Sequence, residues 1–222
     1  MPGTPAYQRA RSAEHKQERR EAILAAAREL AAERSVREVS LGDIARRVGL
    51  AKSNVLRYYE TREEVYLRLL MREWEAWQVA VEARLWAGAP TPEAVATALA
   101  SSLAERPLFC DLVSQMAATL ERNVSAQMAH EFKGRTIQLV SDLGAVVTHV
   151  LPGLDPEDGR EAIAAATVIV AGLWPMANPS PHVVSMLADA PELVHGRVDF
   201  EHRLQHMLSA MLEGFLTPPD EP

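Results

Sequence analysis

The 222-residue chain is most informative first in what it lacks. It has a single cysteine, Cys110, so no disulfide can form within it, a usage that fits a reducing cytoplasm. The opening Met1-Pro2-Gly3-Thr4-Pro5 has no apolar core of the kind a signal peptide carries. The longest weakly polar run, Ala162 to Ala177, is interrupted by Thr167, Gly172 and Pro175. It falls short of the roughly 20 apolar residues that cross a bilayer, so no membrane partner is expected. No stretch alternates polar and apolar residues as a half-buried strand does, which excludes a sheet. There is no internal repeat and no low-complexity linker.

The chemistry of catalysis is equally sparse. The chain has no glycine-rich phosphate loop, no nucleophile elbow and no Cys–His arrangement, so it reads as a non-enzyme with no cofactor. His202 and His206 stand four apart on one helix face, a metal-compatible spacing. No Glu follows the first His and no third ligand is evident, so they read as an exposed or interface pair, with no metal. Asp155-Pro156-Glu157-Asp158-Gly159 looks superficially like a calcium loop, but a Pro in second place fits a capped helix start better.

What is present is charge asymmetry and helical period. The formal net charge is −7, yet residues 1–70 hold 14 Lys/Arg against 10 Asp/Glu, while residues 71–222 hold 9 against 20. A basic head on an acidic body suggests a polyanionic partner at one end. The expected fold is all-α, with residues 1–15 a flexible arm, 16–62 a three-helix DNA-binding head, 63–217 a helical body for ligand binding and dimerisation, and 218–222 a frayed tail. Helices are expected near 16–33, 41–48, 52–59, 62–86, 92–105, 107–121, 125–150, 156–174, 181–189 and 199–216. Several are announced by a capping residue followed by Pro, as in Thr91-Pro92, Asp155-Pro156 and Ser180-Pro181.

One segment carries the function. From Val39 to Tyr59 the chain reads as a short helix capped by Ser40, a turn opened by Gly49 and a second short helix. This is helix-turn-helix spacing, with Ile44, Ala45, Val48, Leu50 and Val55 packing the two helices across each other. The outer face of the second helix offers Lys52, Ser53, Asn54, Arg57 and Tyr58 and no acidic residue. Ser40, Asp43-Ile44-Ala45, Gly49, Tyr58-Tyr59 and Arg62-Glu63, in this order and following Ala25-Ala26-Ala27 through Glu33, resemble the N-terminal domain of the TetR family of regulators from Glu21 to Leu70. Three positions depart from that pattern: Ser53 stands where Gly is frequent, Leu56 where an aromatic is, and Glu60 where Pro is usual.

The resemblance implies roles. Lys52, Ser53, Asn54 and Arg57 would meet base edges, the guanidinium suiting guanine and the amide adenine. Ser40, Tyr58 and Arg62 match positions that grip phosphates, with Lys16, Arg19, Arg20, Arg46 and Arg47 as weaker candidates. It also implies a homodimer bound to a pseudo-palindromic operator and released by a small-molecule effector. The alternative is a helical small-molecule-binding protein that has lost DNA binding.

In the body, Ile163, Thr167, Val170 and Trp174 on one helix and Phe200, Leu204, Met207, Met211 and Phe215 on another suit a four-helix dimer interface. Trp86, Phe109, Met116, Leu120, Met128, Phe132, Trp174 and Met176 are candidates to line a pocket, their soft and flat side chains suiting an apolar or aromatic effector.

Overall fold

The computed structural model describes residues 5–116, 119, 121–189 and 198–217. Among them there is no strand, and the chain is all-α as the periodicity requires. Leu120 and the tail 218–222 lie outside the described residues.

Helix α1 spans Pro5–Glu33, so it starts well before the expected Lys16. Pro at the first helical position and a run of Ala, Arg, Gln and Glu with no further Pro or Gly favour helix where an arm was expected. Its C-terminal half has a buried stripe, formed by Ile23, Leu24, Ala27, Leu30 and Ala31. A single 3-10 turn, Val36–Glu38, follows. Helix α2, Leu41–Arg47, is opened by a reciprocal cap: the Ser40 side chain accepts from the Asp43 backbone N–H, and the Asp43 carboxylate accepts from the Ser40 backbone N–H. Gly49, at φ +67°, turns the chain in the left-handed region that suits glycine.

Helix α3 is one turn, Lys52–Val55, shorter than the expected 52–59. Ala51 supplies no side-chain cap, and after Leu56 the chain tightens so that Tyr59 is buried. Helix α4, Arg62–Ala87, is capped by Thr61. It buries Val65, Tyr66, Leu69, Leu70, Trp74, Trp77, Val81 and Leu85, and it packs on α1 and also on the body.

The body comprises α5 (Pro92–Ala104), α6 (Pro107–Gln115), α7 (Ala126–Val150), α8 (Pro156–Ala177), α9 (Pro181–Asp189) and α10 (Phe200–Leu216). Helix α6 ends six residues before the expected 121, and a separate 3-10 turn, Glu121–Asn123, precedes α7. Helix α8 instead passes through Pro175 to Ala177. The lost bond falls in the last turn, where the Trp174 carbonyl accepts from both the backbone and side-chain N–H groups of Asn178.

Helix α5 packs on α10, α8 on α6, α7 and α10, and α4 on α5, α6 and α7. At 22 residues, α8 is long and apolar enough to cross a membrane by length and composition, contrary to the shorter run read from the sequence. Its Ala162, Ile163, Ala166 and Val170 are nonetheless packed inside the body. Helices α7 and α8 meet at two glycines. A Cβ on Gly159 would stand 2.7 Å from the Gly144 carbonyl oxygen, and one on Gly144 would stand 2.8 Å from Arg160 Cα.

Candidate nucleic-acid interface and internal cavity

Helix α3 is anchored from behind through its own Val55 and through Ile44 and Ala45 of α2, all buried. This packing leaves Lys52, Ser53, Asn54 and Arg57 exposed together, on a segment free of carboxylates. Tyr59 closes the far end. Its hydroxyl donates to the Arg20 carbonyl at 3.3 Å, while the Arg20 guanidinium donates to the Tyr58 carbonyl at 3.3 Å and lies 5.6 Å from the Tyr59 ring centre. Burial pushes the Tyr59 phenol up to about 12, so the ring stays neutral. Tyr58 is half-buried.

The remaining candidates divide. Ser40 is exposed, with its hydroxyl donating to Asp43 Oδ2 at 2.7 Å. Arg62 does not face outward: its guanidinium donates to the Val36 and Val39 carbonyls, pairs with Glu63 at 3.0 Å and sits 5.0 Å over the Tyr66 ring. With only 17% of its side chain exposed, it is a clamp on the turn before α2, which corrects its expected place on phosphate. Arg47 is likewise tied to Glu29 and Glu33 of α1, and Arg46 to Asp43. Lys16 and Arg19 are exposed.

Hydrogen bonds from the Ser40 hydroxyl and backbone, then Arg34 and Arg46 more weakly, hold the Asp43 carboxyl at about 2 against its ordinary 3.8. A carboxyl depressed in the folded state stabilises above its unfolded value and loses that contribution as pH falls through the folded one. The stability difference between wild type and Asp43→Asn is therefore expected to be full above about pH 4 and to fade toward pH 2. Urea titrations across that range would check it, and a constant difference would contradict the cap.

In the body, Phe109 packs against Trp74 and Trp77, with ring centres 5.7 and 5.4 Å apart. Trp77, Leu103, Phe109, Val113, Ala166, Thr167 and Val170 surround a cavity of about 10 Å³, room for one water at most. Its polar atoms are already engaged: the Trp77 indole N–H donates to Ser102 at 2.9 Å and the Thr167 hydroxyl to the Ile163 carbonyl at 3.0 Å. Of the expected pocket residues, Phe109 lines this cavity, while Met128 and Phe132 are core and Met116 is half-buried at the end of α6. Trp86 and Met176 are corrected to the surface, at 55% and 67% exposed. Trp86 rests on the His149 ring, with centres 4.9 Å apart.

Trp77, Leu103, Val113 and Ala166 were missed as lining residues. Helical spacing marks a residue as inward-facing without saying whether its neighbours fill the space. The expected interface residues Ile163, Val170 and Leu204 are corrected to the core of the same chain, each at most 1% exposed. Thr167 turns to the cavity, and Trp174 meets Phe200 edge-on at 5.0 Å. Met211 and Phe215 are half-buried and Met207 is exposed. His202 and His206 are exposed on α10, and no group of three metal-ligating side chains comes together among the described residues.

Cys110 lies beside the cavity wall. Burial pushes its thiol to about 12, and its Sγ–H donates to the Leu103 carbonyl at 3.3 Å. Thiolate is the reactive form, so iodoacetamide at pH 8 is expected to label the native chain negligibly and the urea-unfolded chain fully. Rapid labelling of the native chain, read by mass spectrometry, would contradict this.

Residues 23–69 match the family of bacterial regulatory proteins described as tetR, and residues 71–219 match the tetracyclin repressor-like C-terminal domain. No curated protein sequence matches the chain. Among solved structures, Thermus thermophilus FadR, a TetR-family repressor crystallised with lauroyl-CoA, is similar at 19% identity and TM-score 0.56, over 91% of this chain and 98% of that one. RolR in complex with resorcinol is similar at 16% identity and TM-score 0.55, over 95% and 98%. A transcriptional regulator from Rhodococcus sp. Rha1 is similar at 20% identity and TM-score 0.51, over 90% and 99%. With both the head and the body matched, the chain belongs to the TetR family of transcriptional regulators.

Proposed function

We propose that the protein is a cytoplasmic, ligand-responsive repressor that binds a pseudo-palindromic operator as a homodimer. The observation that carries the reading is the outward face of α3 and of the turn that follows it. Lys52, Ser53, Asn54 and Arg57 are exposed together over a packed apolar underside, as a probe of the major groove requires. The dimer would place two heads about 34–36 Å apart on one duplex. Val168, Gly172 and Met176 on α8, at four-residue spacing, are exposed, as is Met207 of α10, and these are the better candidates for the contact between copies. The cavity walls are apolar, which favours a small apolar or aromatic effector. Relatives of the same fold hold lauroyl-CoA and resorcinol. The effector acts by binding the DNA-free state more tightly, since equal affinity for both states shifts nothing.

Selection of duplexes from a random pool is expected to recover inverted repeats. Arg57→Ala is expected to relax preference at one position in each half-site and to weaken binding by about 1–3 kcal/mol. A pool without enrichment would refute operator recognition, and unchanged preference in the variant would remove Arg57 from the reading surface.

A further inference from the structure

We propose that Asp111 is the positioning residue that couples the internal cavity to the DNA-reading head, an inference that rests on the operator-binding reading above. Helix α6 is nine residues long, bounded by Arg106-Pro107 at one end and by its termination at Gln115 at the other. Phe109 and Val113, four apart on one face, form part of the cavity wall. Asp111 lies on the opposite face, roughly 200° round the helix from Phe109 at 3.6 residues per turn. Its Oδ2 accepts the Val36 backbone N–H at 2.8 Å and the Ser35 hydroxyl at 3.2 Å. It thereby ties the body to the turn between α1 and α2. Arg62 holds the same turn by its Val36 and Val39 carbonyls, and that turn leads directly into the cap of α2.

The space around α6 is uneven. On the cavity side it is packed, with about 10 Å³ free. On the head side a cleft of about 210 Å³ opens, lined by Val36, Arg37, Arg62, Gln115 and Thr119. Trp77 of α4, Leu103 of α5 and Ala166, Thr167 and Val170 of α8 form the rest of the cavity wall, and material added to a filled core displaces the element with room behind it, here α6 toward the cleft. Because one carboxylate oxygen receives both hydrogen bonds, the head turn moves with α6 for as long as Asp111 is in place.

The test needs no identified effector, because a larger side chain serves as the filling probe. Ala166→Leu is placed in the wild-type and D111A backgrounds, and each is titrated with the duplex selected on the wild type. The expected result is at least tenfold weaker binding from A166L in the wild-type background and less than threefold in D111A, with D111N, which keeps a carbonyl acceptor, behaving as wild type. Equal fold-changes in the two backgrounds, or no change in either, would overturn the coupling. Where A166L does not fold, Val170→Ile replaces it, with about a threefold effect expected in the wild-type background alone. The Val36 amide resonance provides a readout independent of DNA: A166L is expected to shift it in the wild-type background and not in D111A, and equal shifts in the two backgrounds overturn the proposal. Failure of the wild type to select any duplex counts against the operator reading and leaves the amide-shift result to decide this one.

Discussion

Gly159→Val is expected to lower stability by about 3 kcal/mol, the upper part of the range for overpacking a filled core, seen as a lower urea midpoint with little change in slope. The added carbons have nowhere to go. A Cβ alone would meet the Gly144 carbonyl oxygen, a backbone atom of α7 that cannot swing aside, at 2.7 Å, and the Thr148 hydroxyl of the same helix as well. Relief requires α7 and α8 to separate along their crossing, which uncovers Leu143, Val147, Ala162 and Ile163, all buried. Gly134→Ala is the control. Nothing lies within 4 Å of its would-be Cβ on the exposed side of α7, so it is expected to stabilise by about 0.5–1 kcal/mol, the helical penalty of glycine. A Gly159→Val chain as stable as wild type would mean that the two helices do not meet there.

Arg62→Met is the second large effect, and its signature separates two roles. Loss of a charged donor to two backbone carbonyls, partly shielded from water, costs about 3 kcal/mol, because the Val36 and Val39 carbonyls lose their partner. Binding should weaken on every DNA sequence alike, since the turn that positions α2 is loosened. The slope of log affinity against log salt is expected to stay at its wild-type value. A side chain that touched a phosphate would instead lower that slope by about 0.9. A fall of that size with unchanged stability would return Arg62 to the DNA surface.

This residue also shows where sequence reasoning stops. The order Ser40, Asp43, Gly49 was legible because each residue does a local job: a cap, its reciprocal partner and a left-handed turn. These need only neighbours in the chain. Arg62 sits at an equally recognisable spacing, but its direction depends on carbonyls 23 and 26 residues away, which no local pattern reveals. The same holds for Asp111, whose partners are 75 and 76 residues distant and which no spacing marked.

In the body, periodicity identified the helices and their inward faces, and the all-α architecture followed. Periodicity did not tell a wall from a filling. Ile163, Val170 and Leu204 lie on apolar stripes that the same chain already covers, and Trp86 lies one position past the buried Leu85 at the solvent end of α4. The first helix was underestimated for a different reason: a stretch polar on all sides has no stripe to detect, although its residues favour helix.

Helix α4 belongs to both parts of the molecule. Within a few residues, Glu73 is buried against Arg28 of α1 at 3.0 Å, Arg72 pairs with Glu21, and Glu75 pairs with Arg135 of α7. A transplant of operator specificity from a relative, cut at Thr61, would bring in a foreign α1 against a native α4 and strand the Glu73 carboxylate. A viable chimera has to carry the recognition turn alone or move α1 together with its partners on α4. The proposed DNA-reading surface, Lys52 to Arg57, is thus not a module that detaches at Thr61: its frame of α1 and α4 stays or moves as one.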